Sequence, residues 1–170
     1  MKVRYNRQFF FDKLFHALLV VRGIIPILIR RWIIELRSEK VGENLLVNEG
    51  CLFIHTEKLR IGNNVSFGRR NFISARGGLT IGNDVLIGFD SVILTEHHIH
   101  GKGIVIRTSG FKTAPVQIGN NVLIGAKAII MPGVTIGSNV VIGANSVVTK
   151  NIPSNSVAVG SPAKVINKIK

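Results

Sequence analysis

Cysteine is nearly missing from this 170-residue chain, and tyrosine and tryptophan each occur once. A single thiol, Cys51, excludes an intramolecular disulfide and fits a reducing compartment. No nucleophile motif surrounds it, so it reads as a small core residue. Acidic residues are also scarce, nine against twenty-two Lys and Arg, for a formal net charge of +13. This balance fits a solvated basic surface, and equally a partner carrying phosphate or an anionic membrane leaflet. It does not point to nucleic acid, because the basic residues are dispersed and no aromatic–basic stacking motif or zinc spacing accompanies them. Long apolar runs are lacking too. The stretch 17–29 is broken by Arg22 and Pro26 and falls short of the roughly 20 residues a spanning helix needs. With no small-residue cleavage site after a short apolar core, neither a membrane span nor a signal peptide is expected.

Apolar residues make up 46% of the chain and charged residues 18%, enough for a sizeable core. Eighteen glycines among many Val and Ile favour short strands joined by turns. Residues 1–40 differ. They hold Tyr5, Phe9, Phe10, Phe11, Phe15 and Trp32, and a net charge of +6. Two helices are expected here, 6–22 and 26–38, broken at Gly23 and Pro26. Such a basic aromatic segment either lies on a membrane surface or packs against the main domain or a neighbouring subunit.

From residue 118 an aliphatic residue recurs every six positions: Ile118-Gly119-Asn120-Asn121-Val122-Leu123, then units opening at Ile124, Ile130, Ile136, Ile142 and Val148. The same phase appears at Ile61-Gly62-Asn63-Asn64-Val65-Ser66, at Ile81 and at Ile87, with a weaker copy at Val41-Gly42-Glu43-Asn44. Neither a helix nor a simple strand gives this period. A solenoid does: each unit is one short strand and one turn, three units close a triangular coil, and the aliphatic residues stack into an apolar column. Gly and Asn follow because the corners need unusual backbone conformations. The solenoid is expected over 41–170.

Between Val92 and Ile118 the phase is lost. The insertion, about 94–115, contains Thr95-Glu96-His97-His98-Ile99-His100-Gly101 and then Lys102, Arg107, Phe111 and Lys112, so three of the five histidines fall within four residues. Insertions at solenoid corners often build sites. Clustered imidazoles suit proton transfer or zinc. A metal is not expected, because no second suitably placed set of ligands is visible.

The repeat resembles the hexapeptide-repeat acyltransferases. The segment 77–166 is most similar to the maltose/galactoside O-acetyltransferase-like group, including relatives that acetylate surface polysaccharides. The resemblance is carried by Ile81-Gly82-Asn83-Asp84-Val85-Leu86-Ile87-Gly88, the histidine loop, Thr113-Ala114-Pro115-Val116-Gln117-Ile118-Gly119, Met131-Pro132-Gly133-Val134-Thr135-Ile136-Gly137, Gly143-Ala144-Asn145-Ser146-Val147-Val148-Thr149-Lys150 and Val159-Gly160-Ser161-Pro162-Ala163. It implies an all-β, left-handed parallel β-helix with an N-terminal helical extension, although general topology rules favour right-handed crossovers. It further implies a homotrimer with acetyl-CoA held between subunits. The family's general base falls on His98, ten residues after Gly88, with His100 and His97 as alternates if the register slips. Ala126 and Ala144 would lie along the pantetheine arm, and Thr149, Lys150 and Lys164 near the nucleotide.

The implied function is transfer of acetyl from acetyl-CoA to a sugar hydroxyl of a surface glycan or its precursor. The location would be cytoplasmic, with peripheral contact at the inner face of the cytoplasmic membrane through 1–40. An antibiotic acetyltransferase and, from another class, a γ-carbonic anhydrase-like metal-dependent hydratase are the alternatives. Glu96 is a candidate to orient the imidazole or face the acceptor. The acceptor region departs from the family: where galactoside and maltose acetyltransferases carry acidic and amide groups, this chain has Arg69, Arg70, Asn71 and Arg76. Asn71 is expected to bind a hydroxyl and Arg76 an acidic or phosphate-linked sugar, or else the arginines are solvated. Leu123 stands where relatives often carry Trp.

Overall fold

The computed structural model describes residues 23–169, so the first expected helix, 6–22, lies outside the described residues. The six-residue phase becomes a parallel β-solenoid with three faces. Face A stacks Lys40–Val41, Leu59–Ile61, Leu79–Ile81, Val116–Ile118 and Thr135–Ile136. Face B stacks Leu46–Val47, Val65–Phe67, Val85–Ile87, Val122–Ile124, Val140–Ile142 and Ser156–Gly160, after which Ala163–Lys168 folds back antiparallel. Face C stacks Leu52–Ile54, Phe72–Ser74, Val92–Ile93, Ile129–Ile130 and Val147–Val148.

The strands pair in register, Leu59 beside Leu79 and Val122 beside Val140, so like residues stack on like. Ile61, Ile81, Ile118 and Ile136 form one buried column; Phe53, Ile73, Ile93, Ile130 and Val148 form another. Each such side chain contributes about 1.5–3 kcal/mol by leaving water. The column narrows from Phe53 and Phe67, edge to face at 5.0 Å, to Ala158 in the last coil.

Two corner chemistries hold the coils in phase. Between faces A and B, Asn44, Asn64, Asp84, Asn121, Asn139 and Asn155 all sit at positive φ, a region Asn and Asp tolerate better than other side chains. Their side chains link coil to coil: Asn44 Nδ2 donates to Asn64 Oδ1 at 2.9 Å, and Asn121 Nδ2 to Asn139 Oδ1 at 2.9 Å. Between faces B and C, the backbones approach so closely that a Cβ on Gly125 would sit 2.5 Å from the Ala144 nitrogen.

Just inside that second corner runs a column of small residues. Cys51 and Asn71 donate to the Gly68 carbonyl at 2.8 and 2.9 Å, Ser91 donates to the Gly125 carbonyl at 3.0 Å, and the Ser146 hydroxyl accepts from the Gly160 N–H at 3.1 Å. Cys51 is the buried core residue expected of it.

One helix, Ile24–Arg37, covers the first coil. It starts two residues before the expected 26 because the chain breaks at Gly23 (φ 117°), not at Pro26. In the first turn the ring's missing N–H costs no intrahelical bond. Ile33 and Ile34 join the solenoid core, and buried Arg30 donates from Nε to the Val47 carbonyl at 3.0 Å. Leu28, Trp32 and Leu36 remain exposed. Among the described residues no helix is long and apolar enough to cross a membrane.

Gly125→Ala forces adjoining coils apart and is expected to destabilise the fold by about 1–3 kcal/mol. A lower midpoint of urea unfolding with an unchanged slope checks it.

Candidate active site

The insertion leaves face C after Val92–Ile93 and rejoins face A at Val116–Ile118. It is not an irregular loop. Glu96–His98 and Phe111–Thr113 pair as antiparallel strands, with His98 directly opposite Phe111 and a short helical turn between the strands at Ile106–Thr108. Alternation along a strand sends neighbouring side chains to opposite sides. That sorts the three histidines. His97 turns toward His100, ring centroids 5.4 Å apart, and its Nδ1 lies 2.9 Å from the His98 carbonyl oxygen, which makes Nδ1 the protonated nitrogen. His98 is exposed on the other side and stacks on Phe111, centroids 4.3 Å apart and tilted by 36°.

The base of the hairpin is fastened to the coil beneath. Buried Thr95 accepts from the Gly77 N–H at 2.8 Å and donates to the Ser74 carbonyl at 2.9 Å. Ser74 donates to Glu96 Oε1 at 2.6 Å, and Arg76 Nε stands 3.8 Å from the same oxygen. Glu96, expected to orient the imidazole or face an acceptor, is thus held at the foot of the hairpin. Its side chain is 11% exposed and takes the Ser74 hydroxyl.

Arg76 lies at the centre of this edge. Its Cζ sits 4.9 Å from the Phe111 ring centroid and its Nη2 donates to His55 Nε2 at 2.6 Å. Arg69 and Arg70 behave differently. Arg69 pairs with Glu49 at 2.7 Å; Arg70 grips both oxygens of Asp90 at 2.7 Å and, through those hydrogen bonds, holds that carboxyl below its usual pKa.

Asn71, expected to bind an acceptor hydroxyl, lies inside the B–C corner. It is 1% exposed, donating to Gly68 and accepting from the Ser91 N–H at 2.8 Å, because it occupies the small-residue column.

The remaining expected residues fall at separate places. Ala126 and Ala144 stack at the B–C corner, above Phe89, with the Asn145 N–H donating to the Ala126 carbonyl at 2.9 Å. Thr149 and Lys150 are exposed at the C–A corner, two coils beyond the hairpin's own. Lys164 is exposed on the final antiparallel strand. One chain thus puts face C between His98 and the alanine shelf. Sequence reading assigned no role to His55, Ser74 or Phe111. The coil length was the missing signal: strands here repeat at 20 residues, Leu52 beside Phe72, which sets position 55 near 76 and 76 near 96.

Among the described residues no group of three His, Cys, Asp or Glu is arranged to hold a metal ion. Burial pushes the Cys51 thiol up to about 11. Thiolate is the reactive form, so Ellman's reagent is expected to modify the native protein orders of magnitude more slowly than the urea-unfolded chain; equal rates would refute its burial.

Residues 115–150 match the bacterial transferase hexapeptide family (six repeats). Galactoside O-acetyltransferase of Escherichia coli (strain K12) is 40% identical over 131 residues, which are 76% of this chain and 63% of that protein. The putative colanic acid biosynthesis acetyltransferase WcaF of the same strain is 30% identical over 146 residues, 84% of this chain and 78% of that protein. A solved galactoside acetyltransferase in complex with coenzyme A superposes with a TM-score of 0.84 at 31% identity, covering 99% of this chain and 86% of that one. The chain spans about half to two thirds of the length of several curated relatives it matches.

Proposed function

The chain belongs to the hexapeptide-repeat acetyltransferases, and from that premise we propose that it transfers acetyl from acetyl-CoA to a hydroxyl of a sugar in a surface glycan or its precursor. The observation that carries this reading is His98: an exposed imidazole on a braced hairpin, ten residues after Gly88, in a β-helix of this family.

An alcohol is a weak nucleophile because it holds its proton at neutral pH. Neutral His98 removes that proton as the oxygen attacks the thioester carbonyl, a contribution of about 10²–10⁴-fold. The tetrahedral oxyanion collapses, the carbon–sulfur bond breaks, and the imidazolium returns its proton to the departing CoA thiolate. The acetyl ester and CoA thiol are the products, and no covalent enzyme intermediate is required. Phe111 fixes the ring plane, and the Thr95–Ser74–Glu96 anchor fixes the strand that carries it.

Ala126 and Ala144 support the thioester arm: their small side chains at the corner let a thin chain lie against backbone amides. Thr149, Lys150 and Lys164 offer a hydroxyl and two cations suited to the nucleotide phosphates. Since face C separates these groups from His98 within one chain, a homotrimer whose sites lie between subunits brings them together. Membrane contact at the inner leaflet is supported by the exposed stripe Leu28, Trp32 and Leu36 and by the basic N-terminal segment. WcaF is described as a colanic acid biosynthesis enzyme, which supports a glycan acceptor.

In an acetyl-CoA assay following thiol release, His98→Ala is expected to lower kcat by about 10²–10⁴-fold, with His97→Ala and His100→Ala within several-fold of wild type. A fully active His98→Ala enzyme defeats the assignment. Sedimentation with phosphatidylglycerol vesicles is expected to carry the full chain down, with less bound for Trp32→Ser/Leu36→Ser and little on phosphatidylcholine; equal binding of all pairs refutes the membrane contact.

A further inference from the structure

We infer that Arg76 forms an anion subsite beside His98 and selects an acceptor bearing a carboxylate or phosphate on the sugar that is acetylated. This rests on the acetyltransferase reading and names its substrate class.

The three arginines of the acceptor region divide by what already satisfies them. Arg69 and Arg70 are held at 2.7 Å by Glu49 and Asp90, Arg70 through both carboxylate oxygens. Arg76 has no such partner. Its nearest carboxylate, Glu96, is 3.8 Å away and already takes the Ser74 hydroxyl at 2.6 Å. His55 uses one hydrogen of Nη2. A guanidinium has five donors in a rigid fork, so the outer edge of Arg76, whose side chain is 39% exposed, keeps donors for a ligand.

Its geometry is also set in advance. The guanidinium lies over Phe111 at 4.9 Å from the centroid, and the same ring carries His98 at 4.3 Å. One aromatic ring thus touches both the cation and the base and keeps them on the same edge of the hairpin. An oxyanion held by the Arg76 fork leaves a neighbouring hydroxyl of the same sugar in reach of the imidazole. Arginine and carboxylate or phosphate match bidentately.

The surroundings agree in sign. From His97 to Gln117 the chain contains Lys102, Arg107 and Lys112 and no Asp or Glu. An acceptor with a negative charge is drawn toward these cations, and the Glu96 carboxylate is turned into the coil.

Matched acceptors test this. Methyl glucuronide is compared with methyl glucoside, and a sugar phosphate with its parent sugar, using wild type, Arg76→Lys and Arg76→Gln. The expected wild-type preference for the anionic member in kcat/KM is about 10- to 100-fold, the range of charge-assisted hydrogen bonds. Arg76→Gln collapses the ratio toward one through KM of the anionic acceptor, and Arg76→Lys restores part of it. The carboxylate and phosphate pairs tell the two sources apart. A merely structural role lowers both members of a pair together, and that result, or a wild type without preference, overturns the subsite while the acetyltransferase stands.

A second readout does not need turnover. With ¹⁵N-arginine labelling, the Arg76 Nε–Hε signal, assigned by its loss in Arg76→Lys, is titrated with methyl glucuronide and methyl phosphate. A saturable shift supports the subsite even if no acceptor is acetylated, the outcome that counts against the proposed function. An unmoved signal overturns the subsite.

Discussion

Each coil is held by the coils before and after it, through in-register strand pairing and through columns of identical side chains. This nearest-neighbour stacking is the constraint on which the rest of the molecule depends. It requires each strand to lie on its counterpart in the next coil, so additional chain is accommodated at a corner and outward. The insertion after Thr95 obeys that rule. Because Gly77, Ser74 and Arg76 occupy the corresponding corner one coil below, the hairpin stands on a fixed platform, and a strand-borne imidazole is held more closely than one on a free loop.

The corners explain why chemistry and architecture separate so cleanly here. At the A–B corner Asn and Asp side chains link coil to coil, and at the B–C corner Cys51, Asn71, Ser91 and Ser146 turn inward to backbone groups. These polar residues stabilise the stack and have little left for a ligand. The C–A corner is where the coil's own needs are met by Thr95, Ser74 and Glu96, leaving His98 and one edge of Arg76 facing outward.

Much of the fold was legible in the sequence because the six-residue period is a direct imprint of the columns. Ile61, Ile81, Ile118 and Ile136 are buried where the phase puts them. The candidate site was legible only in part. Counting ten residues from Gly88 gave His98 as the candidate base, yet the pairing of His98 with Phe111 depends on how 94–115 folds on itself, which no repeat encodes. The backbone bonds of Asn71 were not legible, because an amide suited to a hydroxyl is equally suited to a backbone group, and burial is not written in the residue type. The partners of Glu96, Ser74 and Arg76, were not legible because they lie a coil away, at a spacing visible only once the coil is counted as 20 residues.

The two ends of the stack are closed by unlike devices. The helix Ile24–Arg37 lays Ile33 and Ile34 over the first coil, and at the other end Ala163–Lys168 reverses direction against Ser156–Gly160. A β-helix whose terminal rungs both offered bare parallel edges would act as a template for its own copies and polymerise end to end. Here the leading rung carries a side-chain lid and, on face B, the trailing strand already has a partner of opposite polarity, so a second solenoid meets no bare parallel edge on that face.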